Sequence, residues 1–215
     1  MVKITPALLT PDLETFEAVL LEYALLPVEQ IDIDFCEAQF VGNDTVPIDE
    51  GLEVISRYLE LPCLGFHLMY ASPEQAVKKI IQTMGERMAK IYIHAEADYE
   101  FALSDNYNLA NFGLVLKLET PVPEISLLEN FSEIQLMTIQ AGKQGNIFQP
   151  SVLDKVKGIR DKGFRGGISL DGGINMESVD YLKEVDIQRL SVGSYLQKSA
   201  DKQVAYRQLF DKLNN

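Results

Sequence analysis

The chain has 215 residues, 47% of them hydrophobic and 24% charged, with a formal net charge of −13. That is one domain's worth of chain, residues 1–215, long enough for a full core, and its acidity makes nucleic acid or an anionic membrane a poor partner while leaving room for a phosphorylated metabolite held by backbone dipoles and one or two cations. The N-terminus has no signal-peptide architecture, no apolar run spans a bilayer, and Cys36 and Cys63 lack metal-finger spacing, so the expected setting is a reducing cytoplasm with both thiols free and buried by packing.

The elements alternate along the chain. Residues 2–5 read as a strand, and Thr10-Pro11 reads as an N-cap followed by proline, opening a helix with a Leu13, Phe16, Leu20, Tyr23 stripe. Strands follow over 31–35 and 64–68. Ser72-Pro73-Glu74-Gln75 then has the pattern of a capping box. Further strands are expected over 89–94, 113–118 and 133–139, with short helical segments over 101–110 and 124–130. Pro150 opens a helix carrying Val152, Val156 and Ile159, which Gly163 ends. Strands over 167–170 and 189–192 come next, and a last helix carries Tyr206, Leu209, Phe210 and Leu213. Most strands lack clean alternation, as strands buried on both faces of a parallel sheet do. Eight strand-then-helix units give an α/β chain of the (β/α)8 TIM-barrel class. An open doubly wound sheet normally has a glycine-rich loop after its first strand, whereas Pro6-Ala7-Leu8-Leu9-Thr10 has no glycine.

Chemistry in such a barrel belongs at the C-terminal tips of the strands. Asp32 and Asp34 are spaced i, i+2, so both carboxylates face the same side. Inside a barrel that pair needs a cation or a shared proton; at a wet strand end it does not. His67 ends the third strand and Asp171 the seventh. One imidazole with three carboxylates suits a divalent metal of mixed N/O ligation, with Asp32, Asp34, His67 and Asp171 as ligands. His94 and Glu96, at the fourth tip, read as supporting or structural groups. Three turns offer backbone N–H groups to a phosphate: Gly142-Lys143-Gln144-Gly145-Asn146, Gly172-Gly173 and Gly193-Ser194. Lys143 is either a phosphate contact or a solvated loop lysine.

In this order the motifs resemble those of ribulose-phosphate 3-epimerases nearly end to end. Ile4-Thr5-Pro6-Ala7-Leu8-Leu9 is similar to the family's I-S-P-S-I-L. The run from Asp34 to Asn43 is similar to D-V-M-D-G-x-F-V-P-N. His67-Leu68-Met69 matches H-L-M, His94-Ala95-Glu96 matches H-x-E, and residues 137–146 are a worn M-[ST]-V-x-P-G-F-G-G-Q. Asp171-Gly172-Gly173-Ile174 and Gly193-Ser194 match directly. The resemblance implies a barrel of the ribulose-phosphate-binding type and a homo-oligomer. It also implies one divalent ion (manganese, iron, magnesium or zinc) held by two histidines and two aspartates. These positions fall on Asp32, where the family has histidine, and on Asp34, His67 and Asp171, with Asp34 and Asp171 as the acid/base pair. Met69 and Met137 keep a thioether cluster that loses one member to Cys36. Ala7 stands in place of a substrate-contacting serine, Glu37 in place of an aspartate, Ala141 in place of proline, Lys143-Gln144 in place of Phe-Gly, and Lys117-Leu118-Glu119-Thr120 in place of N-P-G-T.

The implied reaction is inversion of the carbinol centre beside a ketone, taking ribulose 5-phosphate to xylulose 5-phosphate in the pentose phosphate pathway, or acting on a close ketose phosphate such as allulose 6-phosphate. One carboxylate removes the proton and the other returns one to the opposite face. A third carboxylate at position 32 would leave the ion site at net −1, favouring a harder metal and a slower reaction. Two other readings compete. One is a non-catalytic barrel that binds a sugar phosphate or a protein partner. The other is a related decarboxylase or synthase with D-x-K-x-x-D on strand two, where this chain has Asp32-x-Asp34-x-x-Glu37 without the lysine.

Overall fold

A computed structural model describes residues 1–141 and 146–214, with backbone only for Glu86. Eight parallel strands close into a barrel in sequence order: β1 (Lys3–Leu8), β2 (Gln30–Cys36), β3 (Cys63–Met69), β4 (Met88–His94), β5 (Phe112–Leu116), β6 (Glu133–Met137), β7 (Gly167–Asp171) and β8 (Arg189–Val192). Each overlaps a strand expected from the sequence. The helices outside are α1 (Leu13–Ala24), α2 (Ala38–Val41), α3 (Ile48–Ser56), α4 (Glu74–Met84), α5 (Ile125–Leu128), α6 (Leu153–Asp161), α7 (Ser194–Gln197) and α8 (Lys202–Asn214). Residues 101–110 and 124–130 hold only short turns, with α5 the one α-helical piece.

The strands alternate after all. Ile31, Ile33 and Phe35 on β2, Phe66 and Leu68 on β3, and Ile134 and Leu136 on β6 point outward and are fully buried beneath the helices. Burial of each such side chain contributes about 1.5–3 kcal/mol. The intervening positions turn into the lumen and are largely polar: Asp32, Asp34, His67, Gln135, Ser169 and Arg189. Because both faces are covered, burial alone could not reveal the two-residue period. Two glycines make room inside. A Cβ on Gly65 would collide with Asp32 Oδ1, and one on Gly113 would lie 2.6 Å from the Tyr92 ring.

Two helix starts differ from expectation. Asp12, rather than Thr10, caps α1: its Oδ2 accepts from Thr15 N at 2.6 Å, while Thr10 Oγ1 accepts from Asp12 N. The capping box before α4 does not form, because the Ser72 hydroxyl donates to Asp98 Oδ2. Gly163 does end α6, at φ 99°. Both cysteines are free, but Cys63 is exposed on the first residue of β3, where packing was expected to bury it. Among the described residues no helix is long and apolar enough to cross a membrane.

Candidate functional site

Parallel register sets Asp34 of β2 beside His67 of β3, and Met137 of β6 beside Asp171 of β7, all at the C-terminal mouth. His67 Nδ1 lies 3.3 Å from Asp34 Oδ1 and 3.2 Å from Asp171 Oδ2. The three side chains are buried, and one ligand atom from each falls within 4.8 Å of the others. Among the described residues Asp34 Oδ1 is buried without a hydrogen bond. An unsatisfied buried carboxylate oxygen invites a cation. Two ligands at right angles on an ion with bonds of about 2.1 Å stand ~3 Å apart, close to the observed spacing. Two carboxylates and an imidazole therefore fit a divalent ion of mixed N/O preference.

Electrostatics in the cluster follow from its burial. Burial pushes the Asp34 carboxyl up, and Asp171 adds to this against the nearby His67 imidazole, giving about 6. Burial works against a charged His67, but the Asp171 and Asp34 carboxylates outweigh it and hold that imidazole at about 10.

Behind His67 runs a chain of acceptors. Its Nε2 is 2.9 Å from His94 Nε2, and His94 Nδ1 is 3.1 Å from Glu96 Oε2. Glu96 also accepts from Thr120 Oγ1 and from Lys117 N. Burial and the neighbouring His67 push His94 down to about 4. Although partial burial opposes it, hydrogen bonding from His94 and Thr120 pulls Glu96 down to about 2. A neutral His94 flanked by an ionised Glu96 carries its proton on Nδ1 and offers Nε2 as acceptor, so His67 donates from Nε2 and turns Nδ1 to the aspartates.

Asp32, expected as a fourth ligand, does not join the cluster. It sits two residues closer to the barrel floor, roughly 6.6 Å lower along the strand. Its Oδ2 accepts from Arg189 Nη1 and from Ser191 Oγ (3.1 Å), and its Oδ1 from Gln30 Nε2 (2.6 Å). The excess charge expected from a third carboxylate is thereby matched by a guanidinium, and with it goes the argument for a net −1 site. Arg189 also binds Glu133 Oε1 at 2.9 Å, and its Cζ lies 4.8 Å from the Tyr92 ring centroid.

The remaining expected residues surround the cluster. Ala7 is buried on β1 beside Asp32. Met69 and Met137 pack with Cys36, Tyr92, Val115 and Ala141 into a separate apolar patch inside the lumen, with Cys36 Sγ 3.6 Å from Met69 Sδ. Gly172 and Gly173 turn at positive φ, 108° and 64°, directly after Asp171. Gly193 precedes α7, which Ser194 begins. Gly142, Lys143, Gln144 and Gly145 lie outside the described residues. Phe40 of α2 lies edge-on to the His94 ring, and Lys117 Nζ sits 3.6 Å from the Phe40 ring centroid. These two, with Ile139, Gln140 and Ala141, line a cavity of about 280 Å³ at the mouth.

Sequence reasoning missed Arg189, Gln135 and Glu133. The signal was present as polar residues at every second position of β6 (Glu133, Gln135) and β8 (Arg189, Ser191).

The profile of the ribulose-phosphate 3 epimerase family matches residues 3–197. Among individual relatives, the ribulose-phosphate 3-epimerase of Schizosaccharomyces pombe is 28% identical over 181 residues, covering 83% of this chain and 79% of that protein. The Bacillus subtilis ribulose-phosphate 3-epimerase is 26% identical over 220 residues, covering 97% and 98%. Among solved structures, KGPDC from Streptococcus mutans superposes with a TM-score of 0.69 at 16% identity over 99% of this chain and 97% of that one, a likeness of fold.

Proposed function

From its membership of the ribulose-phosphate 3-epimerase family, an enzyme family of isomerases, we propose that this chain inverts the carbon next to the ketone of ribulose 5-phosphate or a close ketose phosphate. The observation that carries this reading is the convergence of Asp34 and Asp171, from strands three steps apart around the barrel, on His67 Nδ1. Inversion needs two proton-transfer groups on opposite faces of one carbon. Carboxylates on β2 and β7 approach a molecule lying across the mouth from different walls. One takes the proton and the other, protonated, returns one.

Asp34, His67 and Asp171 would hold a divalent ion, which supplies positive charge to the oxygens on which negative charge develops. The residues of the chain do the rest. His94 and Glu96 hold the His67 imidazole in one tautomer. Met69, Met137 and Cys36 give a soft apolar wall that keeps water from the reacting carbons. Gly172, Gly173, Gly193 and Ser194, at the tips of adjacent strands β7 and β8, receive the phosphate on backbone N–H groups.

Incubation with ribulose 5-phosphate in deuterated water, with and without manganese, tests the reading. Metal-dependent deuterium at carbon 3 supports it. No exchange across several ketose phosphates favours a barrel that binds without turnover, a reading to which Ala7, with no hydroxyl where the resemblance has a serine, lends weight.

A further inference from the structure

We propose that Gln135 and Arg189 are positioning residues that fix the Asp171 carboxylate from beneath, an inference that deepens the epimerase reading and rests on it. Gln135 points from β6 into the lumen and is buried. Its Nε2 donates to Asp171 Oδ2 at 3.1 Å, and its Oε1 accepts from Arg189 Nη2 at 3.0 Å. A carboxamide fits this space in two orientations, related by exchange of O and N. Arg189 decides between them. A guanidinium only donates, so the amide oxygen faces it and the amide N–H groups are left for Asp171.

Arg189 is itself held in place. Its Nε and Nη2 donate to Glu133 Oε1 at 3.1 and 2.9 Å, its Nη1 donates to Asp32, and Ser169 Oγ accepts from Nη2 at 3.3 Å. The buried Asp32 and half-buried Glu133 carboxylates thus anchor one cation, the cation fixes the polarity of one amide, and the amide commits Asp171 Oδ2 as an acceptor. The rotation of the carboxylate is thereby set before substrate arrives. The chain Asp32–Arg189–Gln135–Asp171 gives the buried Asp32 carboxylate a role in place of the ligand role expected for it.

Gln135→Leu tests this without stranding a charge, because Arg189 keeps Asp32, Glu133 and Ser169. Loss of such an outer partner is expected to lower Mn2+ affinity or kcat by about 10–100-fold, with KM for the ketose phosphate nearly unchanged and the acid limb of the kcat profile displaced. Gln135→Glu, which keeps the Arg189 bond but turns an acceptor toward Asp171, is expected not to rescue. A folded Gln135→Leu protein with wild-type Mn2+ affinity, kcat and pH profile would overturn the proposal. A further readout needs neither metal nor substrate. In the metal-free protein the side-chain amide protons of Gln135 exchange slowly with solvent, and their 1H–15N signals move in Asp171→Asn. Fast exchange and no movement would overturn it equally. Absence of deuterium exchange by the wild type would count against the epimerase reading alone, because the amide and Mn2+ measurements stand without turnover.

Discussion

The Nε2 atoms of His67 and His94 face each other at 2.9 Å, so one ring must donate and the other accept. Glu96 decides the direction by taking the Nδ1 proton of His94. His94→Phe removes the acceptor and leaves a buried donor, a loss of about 1–3 kcal/mol in stability. It also frees the His67 ring to rotate, and Mn2+ affinity should fall roughly 10–100-fold. Glu96→Gln should do less, since the amide oxygen can still accept from His94. Calorimetric titration of Mn2+ into the two variants reads both effects; equal affinities in wild type and His94→Phe would remove the pair from the metal site.

Asp32 gives a second prediction. Replacing Asp32 leaves the Arg189 guanidinium with Glu133 as its remaining carboxylate partner and takes an acceptor from Ser191 and Gln30, a loss of about 1–3 kcal/mol. Both Asp32→Asn and Asp32→His should therefore lower the unfolding midpoint well before any change at the metal, and Asp32→His should add no ligand, since position 32 lies one strand repeat deeper than the cluster, beside Arg189 and Ser191. Paired substitution, Asp32→Asn with Arg189→Met, should cost more than Asp32→Asn alone, because it leaves the Glu133 carboxylate without its guanidinium. A stable Asp32→His protein with tighter zinc binding would show that the side chain at position 32 reaches the ion.

A third prediction concerns pH. His67 in the metal-free protein keeps its proton up to about 10, well above the ordinary 6.5. An ion that takes Nδ1 must displace that proton, so Mn2+ affinity should rise about tenfold per pH unit from roughly 6 toward 10. Below about 6 Asp34 also holds a proton, and the slope should steepen. The same shift has an opposite sign for folding without metal. A raised folded pKa contributes stability that is complete below 6.5 and is lost as pH climbs through about 10. Electron spin resonance titrations at several pH values, with proton release measured in buffers of different ionisation enthalpy, check the first claim; an affinity flat in pH would mean that Nδ1 is not the ligand atom.

The barrel was legible because eight apolar runs separated by helix signals leave few other closures, and the cluster of Asp34, His67 and Asp171 was legible because each lies within two residues of the C-terminal end of its strand. Asp32 was not. Spacing i, i+2 correctly places its side chain in the lumen beside that of Asp34, but depth along the barrel axis is invisible until the strands are registered, and register brings Arg189 from β8 close enough to claim the carboxylate. Gln135 was hidden for a related reason. The alternation of Glu133 and Gln135 with Ile134 and Leu136 is visible along β6, but register alone brings Asp171 and Arg189 within reach of the amide. The capping box before α4 failed because Asp98, distant in sequence, offered Ser72 a better acceptor than the helix start.

The turn after β7 supplies a fourth prediction. Gly173 has φ 64°, and a Cβ there would stand 2.6 Å from Phe148 N and 2.9 Å from Phe148 Cα. Those are backbone atoms and cannot swing aside as a side chain can, so Gly173→Ala must push residues 146–148 away from the β7 tip or distort the turn. Strain of this kind costs roughly 1–3 kcal/mol. At Gly172 the added Cβ instead meets Cγ1 of the Ile139 side chain, a clash that a rotamer change can relieve, leaving only the strain of φ 108°. If the turn receives the phosphate, Gly173→Ala should raise KM for a ketose phosphate more than about tenfold while lowering kcat far less, because the carboxylates at the other end of the substrate stay in place. A parallel fall in kcat with KM unchanged would instead show that the turn serves Asp171, two residues away, and that the phosphate lies elsewhere.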